Sequence, residues 1–305
     1  MTTSRIFNAT IHPIAFGIMV TVLALSVSAQ NTNLDVTALQ KSADAGDADA
    51  QCKLGVRYQE GTGVTQDLAK AAVLMRLAAD QGYAPAEGQL GYYYGVGMGV
   101  HTDPAEALKW YQKAAARGNA LAEYSLGYIY STGRGTAKDW DQAVKWYGRA
   151  ADQNVVRAQF ALGELYFYGE HRGDTNHIDY AEANKWFRAA AARGNAKAMN
   201  NLGMMYDYGY GESKDWKEAA NWYRQAAEQG DAMAQGNLGT LYMDGRGVTN
   251  DLVQAYAWFA LSAEKGNGTG RMNVMNFRAN DLLNTNQLAQ AEQIIQAFHT
   301  AHPNL

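Results

Sequence analysis

The stretch AEGQLGYYYGVGMGVHTDPAEALKWYQKAAARG, residues 86–118, decides the fold, because its framework returns along the chain. Leu-Gly recurs at Leu54-Gly55, Leu90-Gly91, Leu126-Gly127, Leu162-Gly163, Leu202-Gly203 and Leu238-Gly239, 36 residues apart except for one interval of 40. Four residues after each Leu stands Tyr58, Tyr94, Tyr130, Tyr166, Tyr206 or Tyr242, and three further on a glycine. An aspartate opens each second half: Asp67, Asp103, Asp139, Asp179, Asp215 and Asp251. An aromatic pair follows in five copies, from Trp110-Tyr111 to Trp258-Phe259, and Leu74-Met75 holds the place in the first. A fixed period of this length is the mark of a stacked-repeat architecture.

Each unit reads as two helices. Ala, Leu and Tyr at i, i+4 and i+8 form one stripe of a first helix. The Gly beside each Leu admits a neighbouring helix closely, and the paired glycines suit a helix C-terminus followed by a tight turn. The Asp is placed as an N-cap, and Glu106, Gln142, Glu182, Glu218 or Gln254 three residues later resembles a capping box. Pro104 falls at a first helical position, where proline is tolerated. In the second helix Ala107, Trp110, Tyr111, Ala114 and Ala115 share one face, as expected of a helix wedged between neighbours. The Leu, Tyr, Trp and Ala positions are therefore assigned to packing. One such hairpin cannot bury both faces; stacked hairpins can, and the product is a curved α-solenoid.

This framework resembles the Sel-one-like repeat (SLR) family of tetratricopeptide-type α-solenoids, from about Ala48 to Asn267. Departures are few: Asn154 replaces the Gly that ends the other second helices, Ser262 replaces an Ala, and the fourth copy carries four extra residues. The expected organisation is a signal peptide at 1–29, an N-terminal capping helix at 30–47, six repeats at 48–269 and closing helices at 270–305, with no boundary between separate domains. The resemblance implies an all-α, TPR-like, non-enzymatic scaffold that binds another protein or peptide, and many bacterial members are exported.

Composition is consistent with this class. The 305 residues are 47% apolar, enough for a sizeable core. A net charge of −4 argues against a nucleic-acid partner, and the single cysteine, Cys52, rules out a disulfide framework. Arg5 is followed by the apolar run Pro13 to Ala29, ending Val27-Ser28-Ala29. That pattern predicts cleavage after Ala29 and a periplasmic or secreted product; a membrane association would arise only through an uncleaved signal.

Contacts to a partner are expected on the first-helix face away from the packing stripe, which lines the concave surface in related solenoids. Relative to each Leu it comprises offsets −5, −2, +2, +5 and +6. Reading it out gives Tyr92, Tyr124, Tyr128, Phe160, Glu164, Phe167, Tyr168, Asn200, Met204 and Tyr208 as the partner-binding set. Aromatic residues are favoured at interface hot spots, and an extended peptide is the first choice of occupant. A cell-wall glycan such as peptidoglycan, or an exopolysaccharide, is the alternative, since rings also stack on sugars. Trp140 and Trp216, next to their N-cap Asp, read as hydrophobic turn residues.

No cofactor, metal or catalytic residue is assigned. The insertion Gly169 to His177 holds two His and two acids but no helical His pair. Ser262-Ala-Glu-Lys265 matches S-x-x-K, which bears on β-lactamase-like chemistry described for some Cys-rich relatives. Neither S-D-N nor K-T-G follows, and Ser262 stands at an inward repeat position. Cys52 has no His near it in sequence to act as the base a nucleophile needs.

Overall fold

The computed structural model describes residues 36–169 and 178–305, and among these every regular element is a helix. In chain order they are α1 (Val36–Asp44), α2 (Ala48–Glu60), α3 (Leu68–Asp80), α4 (Ala84–Val96), α5 (Pro104–Ala116), α6 (Ala120–Thr132), α7 (Trp140–Asp152), α8 (Val156–Tyr168), α9 (Tyr180–Ala191), α10 (Ala196–Tyr208), α11 (Trp216–Glu228), α12 (Ala232–Asp244), α13 (Leu252–Glu264), α14 (Gly268–Ala279) and α15 (Thr285–Ala301). First and second helices alternate from α2 to α13. The segment expected to be a signal peptide and most of the insertion lie outside the described residues. The chain divides into two compact units, 1–153 and 154–305, a division with no counterpart in the sequence pattern.

In the first unit each hairpin closes on a glycine. An added Cβ on Gly127 would stand 2.4 Å from the ring of Tyr147, and one on Gly91 would stand 2.9 Å from Tyr111. Leu54, Leu90 and Leu126 are fully buried beside these contacts. The turn ends in a left-handed glycine, such as Gly133 at φ 74°. The second turn glycine serves close approach: a Cβ on Gly99 would collide with the Leu68 carbonyl of the preceding repeat at 1.9 Å. The second unit is built alike. Gly163 meets Phe187, Gly203 meets Tyr223 and Gly239 meets Phe259, at 2.4, 2.5 and 2.9 Å from a notional Cβ. Asn154 takes a left-handed φ of 65°, the conformation its glycine counterparts supply elsewhere.

The second helices are capped by their aspartates, whose side chains accept backbone N–H groups one turn in. The capping box expected at Glu106, Gln142, Glu182, Glu218 and Gln254 does not form. The N-cap N–H is already donated to the carbonyl of the repeat tyrosine, Asp103 to Tyr94 at 2.9 Å and Asp139 to Tyr130 at 3.0 Å. Glu106, Gln142 and Glu182 accept instead from the indole N–H of Trp110, Trp146 and Trp186 at 3.0, 3.1 and 3.0 Å. The only capping box among the described residues is in α15, between Asn284 and Gln287.

The repeat tyrosines are only half-buried, which corrects their assignment to the core alone. Their hydroxyls accept from the preceding repeat's second helix: Arg76 to Tyr94 and Gln112 to Tyr130 in the first unit, Arg188 to Tyr206 and Arg224 to Tyr242 in the second. Beyond α13 the chain closes with α14 and α15. The latter lays Phe298 against Trp258, ring centroids 5.8 Å apart.

Two glycines of adjoining helices give opposite expectations. Gly127→Ala drives a methyl into Tyr147, and overpacking costs about 1–3 kcal/mol, more than the ~1 kcal/mol that helix propensity returns. Gly148, in α7, has nothing within 4 Å of its notional Cβ. Thermal denaturation should show Gly127→Ala melting lower and Gly148→Ala melting higher than the parent.

Candidate functional site

The ten residues assigned to partner binding come from the same register positions, yet they do not share one environment. In the first unit Tyr92 is buried and meets Tyr93 edge-on at 6.4 Å. Burial pushes its hydroxyl above the ordinary tyrosine range. It serves the core, which corrects its assignment as a contact. Tyr124 is half-buried and tilts against Tyr147 at 5.5 Å. Tyr128 is half-buried on α6, its carbonyl receiving the hydroxyls of Ser131 and Thr132 at 3.0 and 2.7 Å.

In the second unit the rings converge. Phe167, at the end of α8, is buried. It lies 4.9 Å from Tyr168, 5.4 Å from Tyr180, 6.2 Å from Phe187 and 5.5 Å from Tyr210 by ring centroids. Phe167 is thus the hub of a packed cluster and not a contact residue. Tyr180 stacks on Tyr210 at 5.2 Å, and Tyr210 on Tyr208 at 5.7 Å, each with planes 27° apart. The stack ends in solvent at Tyr208, 55% exposed, and on the other side of Phe167 the ring of Tyr168 is 43% exposed. Their neighbours Tyr180 and Tyr210 were not among the sequence-assigned residues. Tyr210 sits between the paired glycines and Tyr180 follows an N-cap Asp, both places where a single copy reads as turn.

Deeper on the same face, Phe160 is half-buried and packs on Phe187 at 5.9 Å. Asn200 is buried and accepts from the Asn237 amide at 2.9 Å, so its side chain is committed to the stack of first helices. Met204 is half-buried and Met233 is exposed. Asp207 is buried against Arg246, 3.0 Å away, and Arg246 also reaches Asp244. Burial raises the Asp207 carboxyl despite that guanidinium. Glu164, by contrast, is half-buried. Burial pushes its carboxyl up to about 7, with Lys197 pulling the other way.

The residues examined for chemistry are otherwise occupied. The Ser262 hydroxyl is buried and donates to the Ala232 carbonyl at 2.6 Å. The Cys52 thiol is buried, and that burial pushes it up to about 12. Among the described residues no three metal-ligating side chains cluster, and no helix is long and apolar enough to cross a membrane. The His171 to His177 insertion lies outside them.

The Sel1 repeat pattern matches six consecutive segments, 48–83, 84–119, 120–155, 156–195, 196–231 and 232–267. The chain belongs to the Sel1 repeat family. It is similar to the crystal structure of a protective antigen present in uropathogenic Escherichia coli strains, at 38% identity and a TM-score of 0.78 over 85% of this chain. It spans 55% of that antigen's length. A Sel1 repeat protein from Oxalobacter formigenes is 31% identical, with a TM-score of 0.67 over 78% of this chain and 68% of its own. Among curated proteins none matches. Sel1 repeat solenoids are in general protein-interaction scaffolds, and the family is typically non-enzymatic.

The raised Glu164 carboxyl has a measurable consequence. Its folded value of about 7 exceeds the ordinary 4.5, so its contribution to stability is fully present below about 4.5 and is lost as the pH rises through 7. Denaturant unfolding of Glu164→Gln should match the parent near pH 4.5. Toward neutrality the variant should become the more stable protein by on the order of 2 kcal/mol, levelling off above the folded value.

Proposed function

We propose that this protein is an exported adaptor that holds a segment of another protein against the first-helix face and turn edge of its second unit. The observation that carries this reading is the exposed edge of the ring cluster, Tyr208 and Tyr168, packed on Tyr210 and Phe167. A tyrosine presents large contact area at low conformational cost, and an exposed cluster of them marks an interaction surface. Met204 and Met233 extend the apolar surface with adaptable side chains. Glu164 adds a carboxylate that is poorly solvated when the face is empty. Nothing in the arrangement activates a nucleophile, so binding and not turnover is the proposed activity. The signal peptide expected at 1–29 supports a partner in the cell envelope or outside the cell.

Crosslinked capture from native envelopes tests the surface. Tyr168→Ala/Tyr208→Ala should lose at least about tenfold in capture with helicity and melting unchanged. Phe167→Ala should instead lower stability by about 3–5 kcal/mol, because it removes the hub of the cluster. Equal capture by the double variant overturns the assigned surface. Co-sedimentation with purified peptidoglycan, lost in that same variant, transfers the surface to a glycan.

Export has its own test. The protein recovered from the periplasm or medium should begin at Gln30 by intact mass, and recovery of the uncut chain only in the membrane fraction would overturn export.

A further inference from the structure

The outward side of the second helices carries a feature that the six copies make visible by comparison. On α3 two apolar side chains one turn apart face solvent, Val73 at 59% and Leu77 at 47% exposure. The residues equivalent to Val73 are Lys109, Lys145, Lys185, Asn221 and Ala257; those equivalent to Leu77 are Lys113, Arg149, Ala189, Gln225 and Leu261. Where this side meets water the chain mostly writes Lys, Arg, Asn or Gln. Where it writes two apolar residues again, on α13, they are covered: Ala257 is 0% and Leu261 2% exposed. The cover is α15, whose Ala291 shares a cluster with Ala257 and whose Phe298 shares one with Leu261. The apolar pair on α3 has the composition of a covered face and no cover within the described residues.

We propose that α3 pairs with the α3 of a second copy, antiparallel across a two-fold axis. The seam is self-complementary in that sense alone. Lys70, Val73, Leu77 and Asp80 fall at i, i+3, i+7 and i+10, one stripe of a helix of heptad spacing. In an antiparallel pair centred between Val73 and Leu77, each Val73 meets Leu77 of the second copy, and each Lys70 meets Asp80. A parallel pair would set Lys70 on Lys70 and Asp80 on Asp80. The Lys70 ammonium also leans over the Tyr58 ring of its own copy, 4.2 Å from its centroid, and donates to its hydroxyl at 2.6 Å. An isologous contact of this kind closes at the dimer and does not propagate. Two apolar side chains per copy bury far less than the ~800 Å² per partner of a stable interface, so the pairing is weak and depends on concentration. This inference is independent of the ring stack on the second unit.

Sedimentation equilibrium of the purified chain from about 5 µM to about 1 mM reads it. A monomer–dimer equilibrium is expected. Val73→Lys/Leu77→Lys, which installs the pair already present at Lys109 and Lys113, should abolish it while leaving the melting curve in place. Lys70→Glu and Asp80→Lys should each weaken association at least about threefold, and the two combined should restore it. An equimolar mixture of Val73→Cys and Leu77→Cys proteins should form a disulfide-linked pair faster than either protein alone. A monomer across the whole range overturns the proposal, as does a dimer indifferent to Val73→Lys/Leu77→Lys. Failure of the charge exchange to restore association, or equal crosslinking by each cysteine variant alone, overturns the antiparallel register.

Discussion

Everything regular in this protein depends on one contact, the ring of a second helix lying against a first helix where a glycine has no side chain. At Gly127 and Gly163 the gap is too small for a methyl group, 2.4 Å to the ring of Tyr147 and Phe187. The close approach has two consequences. It buries the adjoining Leu completely, and it sets the axial register of the hairpin, because a ring seats only where the glycine is. The first copy solves the same problem with a flexible residue: a Cβ on Gly55 would meet the end of Met75 at 3.1 Å, so Met75 supplies the volume without an aromatic ring.

Polar contacts then fix how hairpins stack within each unit. The repeat tyrosine works at both ends. Its carbonyl takes the N-cap N–H of its own second helix, and at Tyr94, Tyr130, Tyr206 and Tyr242 its hydroxyl is bonded by Arg or Gln from the repeat before. Because the N-cap N–H is spent on that carbonyl, Glu106, Gln142 and Glu182 are left to hold the indoles of Trp110, Trp146 and Trp186. A second set lies at the position three before each Leu. Glu87 is held by Arg117 at 3.2 Å, and Glu123 by Arg149 at 2.6 Å and Gln153 at 2.7 Å. Gln51 donates to the Ala43 carbonyl and accepts from Gln81. Burying these acids is tolerated only because each is paired, and losing one partner would strand the other.

How much of this was legible follows from the same physics. Helices, turns and the glycine–ring contact show in the sequence because each needs a particular residue type at a fixed offset, and six copies separate requirement from accident. The capping box was misread because its residue types are right and only the competing acceptor, the Tyr94 carbonyl, is missing from a linear reading. The face assignment was half legible. Offsets give the direction of a side chain from its own helix but not what the next element lays over it. Tyr92 and Phe167 therefore sit in the core, while Tyr168 and Tyr208, assigned to the same broad face, reach solvent. Tyr180 and Tyr210 were missed because a turn position carries no periodicity.

A repeated chain also supplies its own control for function. At positions where packing dictates the residue the copies agree with few exceptions, so they carry little information about partners. At positions open to water most copies drift toward charge and amide, as Lys109, Lys145 and Gln225 do. An apolar side chain at such a position departs from what the other copies, under the same local geometry, have adopted, and solvation gives no reason for it. By that criterion the exposed Tyr208 at the turn edge and the Val73–Leu77 pair on α3 stand apart from the framework. The α13 face shows what the departure signifies when it can be followed through. There the apolar pair is matched by an amphipathic helix that covers it, so apolar character at these positions tracks with a partner surface.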